Sequence, residues 1–194
     1  MKRTIISSLI ATSALLAGTA QAANTVNGGT VKFEGELINA ACALDTSSAN
    51  QTVQMGQVRT STFTKKGDKS PAVGFKITLT DCKVGATTNP TTPTGGTRAD
   101  NSTVSIGFSA VQETGLENAS VIALGAGTGT AKGIGLQIVD RSGTPVKLDG
   151  KASTEIALND DRVEVPFNAY YIATADAVTS GKANATALFT LTYQ

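Results

Sequence analysis

The chain has no histidine and no tryptophan, two cysteines, two methionines, and only 5% aromatic residues among its 194. Without histidine it lacks the commonest general base and the usual activator of a serine or cysteine nucleophile. It also lacks the commonest zinc ligand. Charge is sparse and nearly balanced, with 16 basic against 15 acidic residues. With no basic cluster, that balance argues against nucleic-acid binding and against electrostatic docking on a membrane.

What catalytic chemistry remains rests on carboxylates, since glycosidases need only two. Asp160, Asp161 and Glu164 form the densest acidic group. Neighbouring residues on an extended chain point to opposite sides, so this group reads as a solvated turn ahead of a strand. The glycine-rich run from Gly125 to Gly133 departs from the phosphate-loop spacing and has no helix-forming segment after it. It reads as a turn. No enzyme is implied, and no cofactor or metal.

The chain opens with Lys2 and Arg3, an apolar run from Ile5 to Ala17, and Ala20-Gln21-Ala22. These are the n-region, h-region and A-x-A cleavage site of a secretory signal, 1–22. The apolar run is too short to span a bilayer, and no later segment approaches a span, so no direct membrane insertion is expected. Cleavage leaves 172 residues, enough for one domain with a sizeable core. In an exported chain, Cys42 and Cys82 are expected to form a disulfide. A cross-link closing that loop would stabilise the fold by roughly 4 kcal/mol in the chain-entropy model.

Period-two alternation dominates the rest, abundant in Thr, Ala, Gly, Ser and Asn. Inward faces are expected at Val73, Phe75, Ile77 and Leu79, at Val104, Ile106 and Phe108, and at Ile134, Leu136 and Ile138. Longer faces follow at Val163 to Tyr171 and at Ala185, Ala187, Phe189, Leu191 and Tyr193. Shorter strands are expected at 51–58, 120–124 and Val146 to Leu148, the last closed by an Asp149-Gly150 turn. The stretch 83–102 is Thr/Pro/Gly-rich loop, and a weak helical run is conceivable at 173–177. Short strands separated by turn residues indicate an all-β sandwich.

The segment Gly28 to Gly35, between signal and first cysteine, puts Gly29, Val31, Phe33 and Gly35 on one face and Thr30, Lys32 and Glu34 on the other. Glycine at inward positions signals close approach of another backbone. By pattern alone this strand pairs with its own domain, as first strands ordinarily do.

These residues resemble a known family, the pilins of bacterial chaperone–usher fimbriae, and most closely the major subunits of type 1 fimbriae. The resemblance rests on Val26 to Glu36, Asn39-Ala40-Ala41-Cys42, Gln51 to Gln54 with Gly56 to Thr60, and Asp81-Cys82. It continues through Gly133 to Ile138, Asp140-Arg141, Leu148-Asp149-Gly150, Ala183-Asn184-Ala185 and the penultimate Tyr193. The stretch 83–102 is longer and richer in Thr and Pro than in close relatives.

The resemblance implies an incomplete immunoglobulin-like sandwich, six-stranded and missing the seventh strand, spanning 38–194. It implies that 23–37 is a donor strand that completes another subunit by donor-strand exchange. Val31 and Phe33 would then fill pockets, and Gly29 would sit where only a small residue fits. Phe189, Leu191, Tyr193 and Gln194 would border the acceptor groove. The implied partners are identical or related pilin subunits, a periplasmic chaperone that also anchors the Gln194 carboxylate, and an outer-membrane usher. The implied function is a structural subunit of the fibre shaft on the cell surface; a minor adaptor pilin or a carbohydrate-binding adhesin subunit is the alternative.

Overall fold

The structure, a computed structural model, describes residues 30–38, 40–82, 102–114 and 120–194, with backbone alone for 152–154. The expected signal (1–22), Gly29 and all but Ser102 of the stretch 83–102 lie outside the described residues. The chain divides into two compact units, Met1–Glu36 and Leu37–Gln194.

In the second unit, β1 (Ala43–Leu44), β2 (Val73–Thr80), β7 (Val163–Ala173), β5 (Ile134–Val139) and β4 (Val121–Ile122) form one sheet in the order β1-β2-β7-β5-β4. A second sheet has the order β6-β3-β8, with β3 at Thr103–Ser109, β6 at Asp149–Ala157 and β8 at Leu188–Tyr193. All ladders are antiparallel. Six strands have six residues or more and two have only a pair, so the strand architecture matches the six-stranded expectation.

The alternating residues meet between the sheets. Ile77, Val165, Phe167, Ile122 and Ile138 from one sheet pack with Ile106 and Phe108 from the other. Phe167 stacks on Phe75 at 5.6 Å between ring centroids and takes the edge of Phe108 at 5.0 Å. Such offset and edge contacts add to burial because the ring edges and faces carry opposite partial charge.

At the far end of β2, Cys42 and Cys82 are disulfide-bonded, closing the expected loop of 40 residues. The preceding residue, Asp81, takes a φ of 52°, a left-handed conformation that Asp tolerates better than most side chains.

Four local expectations are corrected. Val146 and Leu148 are buried as expected, but 146–148 form no strand, with only the isolated bridge of Pro145 to Val139 before them. Residues 51–58 alternate in burial only as far as Met55, with Val53 and Met55 half-buried and the parity shifted at Val58, and form no strand. Gly56, at φ 69°, breaks the extended path there. Asp149-Gly150 is no turn: both residues open β6, where Gly150 has φ 75° beside register shifts in the β3 ladder. Bulged pairing of that kind hides a strand from period-two reading. Residues 173–177 form no helix; β7 runs to Ala173 and gives way to bends. A helical turn at Thr46–Ala49, unforeseen, is capped by Asp45, whose carboxylate accepts from the Ser47 amide.

The bulge demands glycine in β3. A Cβ on Gly107 would lie 2.3 Å from the Gly150 carbonyl oxygen, backbone that cannot rotate away. Gly107→Ala should therefore cost about 1–3 kcal/mol of overpacking strain. Urea unfolding would show the midpoint falling with little change in slope.

Candidate functional site

The last strand is built unlike the others. From Ala183 to Gln194 small or apolar residues alternate with polar ones, except for the exposed Leu188, and burial alternates throughout. In β7 the inward Val165, Phe167, Ala169 and Tyr171 are buried. In the terminal segment the inward Ala185, Ala187, Phe189, Leu191 and Tyr193 are all only half-buried. Phe189 reaches the core through Phe108, at 6.4 Å between centroids. The cause is topological: β8 pairs with β3 along one edge and, among the described residues, with nothing along the other.

Two phenols fix this segment at its ends. The Tyr171 hydroxyl donates to the Ala183 carbonyl at 2.7 Å, and the Tyr193 hydroxyl to the Cys42 carbonyl at 3.1 Å. Burial raises the pKa of both phenols above its usual value near 10, because the phenolate would lose solvation. Both therefore donate throughout the neutral range. Gln194 is held as well: its carbonyl accepts from the Ser102 and Thr103 amides, at 2.9 and 3.0 Å.

Residues 51–58 are the second unpaired row; none of their backbone groups bonds to the backbone of another described residue. A cleft of about 370 Å³ runs between Gly56–Val58 and Ala183–Asn184, with Phe63, Ile134 and Tyr171 on its walls. No charged residue lines it. A wider cleft of about 660 Å³ lies where Gln51–Gln54 face Val73–Lys76 and Pro166–Asn168. Half-buried apolar side chains beside open backbone edges suit an extended apolar segment, which supplies ladder hydrogen bonds and alternate side chains together.

In the first unit, Val31 is 75% and Phe33 90% exposed, while Lys32 and Glu34 form an ion pair with each other. Gly35 has open space where a side chain would stand. Residues 30–38 form no strand.

Readings of the polar groups follow the sequence closely. Asp160 and Asp161 lie exposed in bends before β7. Glu164 accepts from the Lys76 ammonium at 2.8 Å, which holds its carboxyl below the usual range. The glycine-rich run folds on itself, with Thr130 donating to the Gly125 carbonyl. Among the described residues there is no cluster of metal-ligating side chains and no helix long and apolar enough to cross a membrane. The two phenol tethers were not foreseen as such. Inward parity signals both tyrosines, and the penultimate place also signals Tyr193, but neither reveals the hydroxyl's partner.

This arrangement, a sandwich with an open edge along its last strand, is that of a pilus subunit. The family described as Fimbrial protein matches residues 31–194, and the chain belongs to that family. It is 42% identical over 189 residues to the type-1 fimbrial protein A chain of Escherichia coli K12, covering 96% of this chain and 92% of that one. It is equally 42% identical to the fimbrial subunit type 1 of Klebsiella pneumoniae, covering 88% and 86%. Among solved structures, a chaperone–usher pilus analysed for rod uncoiling matches with TM-score 0.67 and 27% identity over 89% of this chain and all of that one. The P pilus rod subunit PapA matches with TM-score 0.61 and 28% identity, covering 80% and 100%. The fold is the immunoglobulin-like pilin fold, and the protein is a structural subunit of a pilus.

Removing one tether should loosen the last strand without opening a cavity. Tyr193→Phe is expected to cost about 1 kcal/mol, the net worth of an ordinary hydrogen bond. Amide hydrogen exchange should show the loss concentrated at 188–193, and uniform exchange across the domain would contradict the tether.

Proposed function

We propose that the chain builds a fibre shaft by donating residues 23–37 to the open edge of the next subunit. The observation that carries this is the half-buried inward face of the last strand, whose approach at Ala183–Asn184 lies across a cleft from Gly56–Val58. The exposed pair Val31 and Phe33 supplies what that face lacks, and Gly29 and Gly35 in the same register would permit close backbone approach. Burying Val31 and Phe33 would contribute very roughly 1.5–3 kcal/mol each. Donor and acceptor are different surfaces of one chain, so the contact is heterologous and propagates as a filament.

Before assembly the open edge is an aggregation hazard that something must cover. A periplasmic chaperone occupies it by adding its own strand, anchoring the C-terminal carboxylate, and an outer-membrane usher exchanges that strand for the donor segment. Residues 1–22 direct export. The shaft role is supported by similarity to the type-1 A chains and to a rod subunit.

Deleting 23–37 while keeping the signal should give a folded, chaperone-bound subunit that fills no neighbour's groove. Electron microscopy of cells expressing it should show no fibres, and normal fibres would refute the donor assignment. Phe33→Asp is a subtler probe: a charge in an apolar pocket is strongly disfavoured. Fibre yield should collapse and remaining fibres dissociate at lower denaturant; unchanged fibres would place Phe33 outside the contact.

A further inference from the structure

The described residues at the two ends of the sandwich carry opposite charge. At one end β7 finishes, β5 begins and the chain approaches β8. There the Gly67 amide donates to the Ala173 carbonyl, Thr174 to Gly133, Lys182 to Gly129, and the Lys132 amide to Thr179 Oγ1. These bonds gather Lys65, Lys66, Lys69, Lys132 and Lys182 at that pole, all exposed and none in an ion pair among the described residues. Lys69 lies over the Tyr170 ring at 4.7 Å. The two aspartates present there are turned to the backbone. Asp68 accepts from the Thr64 and Lys65 amides, and Asp176 from the Lys66 amide.

At the opposite end β7 begins and β2 and β8 finish. The Cys82 amide donates to the Asp161 carbonyl, and the Ser102 amide to the Gln194 carbonyl. Among the described residues that pole holds the carboxylates of Asp45, Asp81 and Asp160, with Arg162 beside them at 3.5 Å from Asp45.

We infer that these poles are the two halves of a subunit–subunit contact: the acidic pole of one copy docks on the lysine pole of the next. The inference rests on the donor-strand reading. Antiparallel pairing is the more stable ladder, and a donor strand running opposite to β8 enters the groove at the acidic pole and leaves it at the lysine pole. The donor's own domain begins at Cys42, on its acidic pole beside Cys82 and Tyr193. Following the chain therefore brings that acidic pole over the acceptor's lysines. Opposed charges then favour this end-on approach and oppose like poles meeting, an effect on rate and register more than on final affinity.

The test follows polymerisation of the full mature chain, released from its chaperone, by light scattering. Salt is set at about 0.02 M and about 0.5 M, where screening is weak and nearly complete. Reversing the lysine pole (Lys65→Glu, Lys66→Glu, Lys132→Glu) should slow growth about tenfold at low salt, with the difference vanishing at high salt. Reversing the charge of Asp160 at the acidic pole (Asp160→Lys) should slow growth in the same salt-dependent way, and combining it with the lysine set should bring the rate back toward wild type. Uptake of a synthetic peptide of residues 23–37, which carries no domain, should be equal in all four proteins. Equal peptide uptake with unaltered growth of the single-pole variants would overturn the polar contact. Failure of every protein, wild type included, to take up the peptide would instead overturn the donor-strand reading.

Discussion

An unmet backbone ladder governs this molecule. The last strand has its alternation of apolar side chains, yet among the described residues one edge of its amides and carbonyls faces no other strand. A buried or half-buried backbone left without partners is costly, and a sheet edge beside exposed apolar surface invites pairing. Under donor-strand exchange, as proposed, the free subunit would owe part of its stability to another chain. The half-buried Phe189, Leu191 and Tyr193 would then be the face that the other chain covers.

The rest of the domain holds that edge in shape. The aromatic chain Phe75, Phe167, Phe108 and Phe189 links both sheets and keeps β8 seated on the core. Tyr171 and Tyr193 pin its two ends, and Gln194 is tied back to β3. The row 51–58 is kept from closing the gap by its route: the capped turn after Asp45 and the bend at Gly56 carry it past β2 without pairing. A preorganised vacancy of this kind lowers the ordering cost of accepting a strand.

Much of the fold was legible in the sequence, for a physical reason. Strands buried on one face, such as Val73 to Leu79 and Val163 to Tyr171, print their period directly in the residue order. The failures fall where pairing is irregular or absent. Gln51 to Met55 alternates like a strand because one side touches the core, but alternation records burial and not a ladder partner. β6 went unseen because its bulges and Gly150 break the period. As for the site, the apolar parity of Phe189, Leu191 and Tyr193 was readable. Their incomplete burial was not, since it depends on which strand lies beyond the edge. The polar ends of the sandwich were invisible as well: their lysines and aspartates are scattered in sequence and meet only through the turns between strands.

The disulfide acquires a further meaning in a chain that transmits tension. A pull on the N-terminal segment reaches the domain at Cys42, and the Cys42–Cys82 bond passes it directly to the end of β2. A pull arriving along the chain thereby bypasses the intervening 43–81, which holds the helical turn and the row 51–58. In a fibre built as proposed, that row would feel the strand seated beside it and not the tension passing through its own N-terminal segment.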